Sequence, residues 1–362
     1  MFRKTKFLCL FKNRNAIERL FNTDQKSLVL LHTIFRHGDR TPDQSSSYPS
    51  DPYKDHDYSP YGHGQLTNPG KLRAYKLGEF LRNRYGSFLG NFYVPEHIDA
   101  WASDFDRTKM TLQLVLAALY PPEDHQVWHQ DVKWQPIPYI SPPRDRDNIF
   151  LAFMCNKKAL EEYDRHVKEV RQDIFKPYED IIKFVEEKSN LKITNPRVMF
   201  AIACTLGTQE AMGLELPAWT KSIWPNDIEE VAMKEFDVLV SNPTLKSLVI
   251  GNLFKKIIED TQMKITGKSN RKIHIYSGHD FTVGLFLRVL DVFKSHHPDF
   301  CAVVVLEVHK VNDEYGLKLV YRSKESEPST ELIIPGVQHP IVPFQKFREI
   351  ANDMLTNKLI AK

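Results

Sequence analysis

The feature that most constrains this chain is the apolar run Ser27 to Phe35 (SLVLLHTIF), taken with the seven residues after it. A nearly continuous stretch of Val, Leu and Ile, with Gly38 close behind, reads as a buried strand of a parallel sheet. Immediately past its end stands Arg36-His37-Gly38-Asp39-Arg40-Thr41-Pro42. In sheets of this kind reacting groups gather outside the carboxyl ends of the strands, so this run falls where chemistry is expected. A histidine between two guanidinium groups is disfavoured as imidazolium and is left neutral and nucleophilic at mildly acidic pH. Arg36 and Arg40 offer planar forks that match phosphoryl oxygens, and Gly38 lets the backbone approach closely.

Two further strand-to-helix passages repeat the pattern. Ile98 to Trp101 leads through Asp104-Phe105-Asp106 into an amphipathic helix over Met110 to Tyr120, which Pro121-Pro122 ends. His274-Ile275-Tyr276 leads through Ser277-Gly278-His279-Asp280 into an apolar helix over Phe281 to Val292. A helix also starts near Thr67 or Asn68, with Pro69 at an early position and Leu77, Phe80, Leu81, Tyr85 and Phe88 at helical spacing. Val303 to Val308 and Leu317 to Tyr321 read as a late hairpin. Residues 150–260 are charged, strand-poor and helical in period, with a capping signal at Asn226-x-x-Glu229. The expected fold is therefore α/β: a mostly parallel sheet flanked by helices over 24–149 and 261–350, an α-helical cap inserted over 150–260, and an N-terminal segment 1–23 of unassigned role.

Composition narrows the function classes. Apolar residues make up 42% and charged residues 26% of 362, with a formal charge of only +3. This balance gives no support to a nucleic-acid or membrane-surface partner, and no stretch approaches the roughly 18 apolar residues of a membrane span.

The ordered motifs Arg36-His37-Gly38-Asp39-Arg40-Thr41-Pro42, Tyr48-Pro49-x-Asp51-Pro52-Tyr53, Gly64-Gln65-Leu66-Thr67-Asn68-x-Gly70-Lys71, Asp104-x-Asp106-Arg107-Thr108, Gly278-His279-Asp280 and Pro335-Gly336 resemble the histidine acid phosphatase family. This is the acid phosphatase branch of the histidine phosphatase superfamily, and the likeness is strongest to insect secreted and venom acid phosphatases. The resemblance implies a phosphoglycerate-mutase-like core. It also implies hydrolysis of phosphate monoesters, small or on a phosphoprotein, with His37 as nucleophile forming a phosphohistidine, Arg36, Arg40 and His279 binding phosphate, and Asp280 protonating the leaving oxygen. A homodimer and an extracellular or lysosomal location are expectations from the family alone. Positive side chains can supply the electrostatic stabilisation for two displacements at a histidine, so no metal or cofactor is implied.

One departure bears on rate. Where the family carries a further phosphate-binding arginine, this chain has Trp101, in Trp101-Ala102-Ser103-Asp104-Phe105-Asp106-Arg107-Thr108. Indole offers no charged fork, and losing such a donor in a closed site costs about 2 to 4 kcal/mol. Reduced turnover is expected, the alternative being a pseudophosphatase that binds phosphate or acts as a venom-type protein without turnover. The place of Arg107 in the Asp-Arg-Thr run points to a structural role at the helix start.

The resemblance further implies a Cys204–Cys301 disulfide; Cys155 lacks its usual partner and Cys9 is expected to stay unpaired. Arg3, Lys4 and Lys6 resemble the start of a signal peptide, yet the apolar run Phe7 to Phe11 is short for an h-region. Asp55-His56-Asp57 with His63, and His296-His297, are weak metal candidates in polar loops. Tyr53, Tyr58 and Tyr61 fit either a substrate entrance or loop packing.

Overall fold

A computed structural model describes residues 25–150 and 152–355. Cys9 and the signal-like N-terminal segment lie outside the described residues, as does the side chain of Cys155. Strand β1 (Leu28–Arg36) is followed by α1 (Asn68–Leu89), β2 (Ile98–Ala102) and α2 (Asp106–Leu119). A largely helical stretch then holds α3 (Lys157–Phe175), α4 (Glu179–Ser189), α5 (Pro196–Ala211), α6 (Asn226–Ser241) and α7 (Pro243–Ile265). The chain returns to the sheet with β3 (Ile273–Gly278), α8 (Asp280–Val289), β4 (Val303–Val311), β5 (Glu314–Arg322), β6 (Thr330–Leu332) and β7 (Ile341–Pro343), and α9 (Phe344–Leu355) closes the described region.

The sheet runs β2-β3-β1-β4-β5-β6, with β7 also pairing β5. Its helix-flanked α/β character is as expected, but the parallel part is confined to β2, β3 and β1. From β1 onward the pairing is antiparallel, because the late hairpin β4–β5 adds directly beside β1. That mixture matters for the site. The start of β4 pairs with the end of β1, Val303 opposite Phe35, so the loop before β4 lands at the same edge as the carboxyl ends of the three parallel strands.

Alternation along β1 sends Leu31 and Phe35 to one face and Leu30 and Ile34 to the other. The first face packs against α1 and α2, whose Leu77, Leu81, Tyr85, Leu112, Val115 and Leu116 are buried. Each such side chain contributes roughly 1.5–3 kcal/mol on burial. The second face packs against the helical stretch and α8, through residues such as Phe236, Phe254 and Phe286. Thr67 caps α1 by accepting from the Gly70 N–H at 3.2 Å, as its sequence signal foretold. The capping signal at Asn226 is shifted: α6 begins at Asn226 itself, with Pro225 in the capping position and no side-chain cap.

The expected Cys204–Cys301 bond is not formed. Both cysteines are free and buried, Cys204 in the cluster facing the helical stretch and Cys301 in the cluster on the other face of the sheet. Among the described residues, Asp55, His56, Asp57 and His63 do not converge as a metal-binding group; His56 and His63 pack their rings edge-on to Tyr58, which is itself buried. His296 and His297 point apart, His296 to the Tyr321 hydroxyl at 2.8 Å and His297 to Asp280 at 3.1 Å.

Candidate active site

Four elements clamp the turn after β1. The Arg36 N–H donates to the Ala302 carbonyl (3.0 Å), the His37 N–H to that of Gly278 (3.1 Å), and the Cys301 N–H to that of His37 (3.1 Å). The Gly38 N–H reaches Thr111 Oγ1 of α2 at 3.1 Å. The first turn of α1 lies so close that a Cβ on Gly38 would stand 2.4 Å from the Gly70 carbonyl oxygen, and one on Gly70 2.1 Å from that of Asp39. Glycine is therefore needed at both positions for backbone to meet backbone.

His37 is buried. Its Nδ1 lies 2.8 Å from the Gly38 carbonyl oxygen. A carbonyl only accepts, so Nδ1 carries the proton and Nε2 holds the lone pair. Burial, and after it the charges of Arg107, Arg36, His279 and Arg40, hold the imidazole well below its usual pKa. The ring is thus neutral, with the lone pair on Nε2.

His279 caps the start of α8 and accompanies His37 with ring centroids 5.5 Å apart. Its Nε2 meets Ser103 Oγ at 2.8 Å, and Ser103 Oγ donates onward to Thr108 Oγ1 at 3.0 Å. With the serine proton so placed, His279 Nε2–H is the donor. Burial and the nearby Arg107 lower its pKa to about 3, so His279 is a neutral donor whose Nε2–H is spent on Ser103 in this structure. Asp280 Oδ2 accepts from Arg36 Nη2 (3.1 Å) and from His297 Nε2 (3.1 Å), while Oδ1 accepts from the Phe281 N–H (2.9 Å). Burial alone would raise this carboxyl's pKa; Arg36 and His297 outweigh it and keep Asp280 ionised. The Arg36 guanidinium also donates to the Pro298 carbonyl at 2.6 Å and lies over the Phe300 ring.

Arg40 pairs with Asp43 at 3.2 Å, and Asp43 pairs in turn with Arg107 at 3.5 Å. Arg107, expected to act structurally at the helix start, thus shares Asp43 with Arg40 at this edge and also reaches the Gly64 carbonyl at 3.4 Å. Its side chain is buried, and burial together with Arg40 lowers its pKa to about 10. It lines a polar cleft of about 520 Å³ with Asp43, Gln65, Phe105, Asp106 and Arg144. The signal was present: α2 starts at Asp106, and side chains in a first turn lean back toward the helix N-terminus, here toward the strand ends. His297, Phe300 and Ser103 were also missed, the first two because they belong to a polar loop whose destination only the antiparallel pairing of β4 reveals.

Trp101 is turned elsewhere. Its indole lies under the Lys256 ammonium, 4.7 Å from the ring centroid, on the sheet face that meets α7. Lys256 pairs with Asp99 (3.1 Å) and Asp260 (3.0 Å), and His274 Nδ1 reaches the same two carboxylates at 3.0 and 3.3 Å.

Comparison with known proteins identifies the family. Residues 27–322 match the family model of the histidine phosphatase superfamily, branch 2. The chain is 37% identical over 336 residues to the venom acid phosphatase Acph-1 of Apis mellifera, covering 91% of this chain and 86% of that one. It is 29% identical over 341 residues to the prostatic acid phosphatase of Homo sapiens, with 91% and 86% covered. Among solved structures, the phytase from Citrobacter braakii superposes with a TM-score of 0.69 over 91% of this chain and 98% of that one, at 15% identity, a likeness of fold. With the Arg36-His37-Gly38 turn clamped at the carboxyl ends of three parallel strands and a family match across that whole framework, this chain belongs to branch 2 of the histidine phosphatase superfamily.

Proposed function

We propose that the chain is an acid phosphatase that hydrolyses phosphate monoesters in two displacements, His37 Nε2 taking the phosphoryl group and Asp280 giving the leaving oxygen its proton. The observation that carries this reading is His37 itself: a neutral imidazole with Nδ1–H tied to the Gly38 carbonyl and three guanidinium groups, Arg36, Arg40 and Arg107, beside it. Those cations would stabilise charge on the phosphoryl oxygens through both displacements. His279, held by Ser103, is a neutral donor for the same oxygens, provided the phosphate takes the place of the serine. The acid phosphatase names of the venom, prostatic and lysosomal relatives support the activity, and those of the venom and lysosomal proteins support an extracellular or lysosomal place of action. In this reading the helical stretch acts as a cap over the strand ends.

The Trp101 substitution removes one charged fork, and Arg107 offers another from α2, so the loss in rate is smaller than the Trp101 replacement alone implies. Hydrolysis of p-nitrophenyl phosphate between pH 4 and 7, by the wild type and His37→Ala, tests the reading. Turnover by the wild type and a fall of about a thousandfold or more in the variant are expected. A silent wild type, or a variant of undiminished rate, would overturn it.

A further inference from the structure

Asp280 presents a difficulty that its surroundings resolve. An acid catalyst must hold a proton, yet Arg36 at 3.1 Å keeps this carboxyl ionised, and a guanidinium does not release a proton in proteins. The other partner of the same oxygen, His297 Nε2 at 3.1 Å, can. We propose that His297 is a proton-positioning residue, which stores the leaving-group proton as imidazolium, passes it to Asp280 Oδ2 as the ester bond breaks, and exchanges it with solvent past Glu229. The inference rests on the phosphohistidine reading above.

The geometry supplies each station. With Asp280 ionised its Oδ2 only accepts, so at rest His297 Nε2 carries the proton between them, and the ring becomes imidazolium by taking a second proton at Nδ1. Nδ1 faces Glu229 Oε1 at 3.8 Å, and Glu229 lies on α6 with its side chain 30% exposed, open to water. The His297 side chain is 9% exposed. Around it stand Asp280 from α8, Glu229 from α6, the Cys204 thiol and the Phe200 ring from α5, Arg36 from β1 and Arg40 from the turn after it. Burial and Arg36 outweigh Asp280 and set the ring's pKa below its usual value, so the stored proton is present only at acid pH and is lost as pH rises.

Atoms balance in both displacements. As the bond from His37 Nε2 to phosphorus forms and the ester P–O bond breaks, the leaving oxygen takes a proton from Asp280, which takes one from Nε2 of the His297 imidazolium, leaving that ring neutral with its remaining proton on Nδ1. When water attacks the phosphohistidine, the His37 Nε2–P bond breaks as the new P–O bond forms, the water's proton passes to Asp280 and on to His297 Nε2 to restore the imidazolium, and phosphate departs.

The test compares a poor leaving group, glycerol 2-phosphate, with p-nitrophenyl phosphate, whose leaving phenolate needs little protonation. His297→Gln keeps a donor to Asp280 but cannot store a proton; His297→Phe removes both. For glycerol 2-phosphate kcat is expected to fall about a hundredfold in either variant, the scale of general acid catalysis, against less than about threefold for p-nitrophenyl phosphate. The alkaline limb of the glycerol 2-phosphate profile should move down by about one pH unit or more, because Asp280 alone with Arg36 protonates only at lower pH. Equal losses on the two esters, or an alkaline limb that does not move in His297→Gln, would overturn the proposal. If His297→Phe does not fold, His297→Gln decides alone. A wild type silent on both esters would instead overturn the phosphatase reading, and the relay with it.

Discussion

Two polar clusters share strands β2 and β3, and they are built on opposite principles. Toward the amino end of these strands, Asp99 and His274 join Asp260 and Lys256 of α7 in a set whose two carboxylates are each met by the ammonium and the imidazole. At the carboxyl end, Arg36, Arg40 and Arg107 face the carboxylates of Asp280 and Asp43, so guanidinium groups outnumber their partners, and the Nε atoms of all three arginines lack a hydrogen-bond partner. A buried charge is tolerated when paired, so a matched set is a structural joint between sheet and helix. A surplus of buried cations is stable only where something anionic completes it, which is what a phosphate ester would do. Trp101 lies on the border between the two. Its strand position points it at the joint, where it covers Lys256, while the third guanidinium at the carboxyl edge comes from the next helix.

The contrast can be broken from either side. Lys256→Met should cost roughly 3 kcal/mol of stability by leaving Asp99 and Asp260 facing one another, read as a lowered denaturation midpoint, while kcat/KM for p-nitrophenyl phosphate stays within about threefold. A collapse of kcat in a folded Lys256→Met protein would show that the joint serves the reaction. Arg107→Ala should do the reverse, lowering kcat/KM about a hundredfold with little loss of stability. It should also raise the pKa of His37, because the largest of the neighbouring charges that oppose imidazolium is gone, so the acid limb of the pH profile moves to higher pH. Trp101→Arg has the smallest expected effect. It should raise kcat/KM by no more than about tenfold, or 1.4 kcal/mol, and lower the melting temperature, since a second cation would replace the ring over Lys256. A gain of a hundredfold would mean that Arg107 does not act as the third fork.

Much of this was legible in the residues. The apolar run of β1, the cap at Thr67 and the strand-turn-helix passages around Ser103 and His279 place His37, Arg36, Arg40, His279 and Asp280 at one edge, and the structure brings them there. Local pattern suffices where chain neighbours do the placing. It did not suffice for His297 and Phe300, which reach the site only because β4 runs antiparallel to β1. Nor could it tell that Glu229, which reads as half of a capping signal, turns its carboxylate toward His297, or that Cys204 and Cys301 lie on different faces of the sheet. These placements depend on long-range packing, in which a polar side chain has several possible partners and spacing in sequence does not choose among them.

The most direct measurement is to catch the phosphoryl group on the protein. During steady turnover of a monoester radiolabelled at phosphorus, rapid quenching into alkali preserves a nitrogen–phosphorus bond, and digestion then locates the label. Acid-labile label on the peptide containing His37, absent from His37→Ala, is the expected result. Sustained turnover with no label on that peptide, or with label on another residue, would contradict the assignment of His37 as the nucleophile.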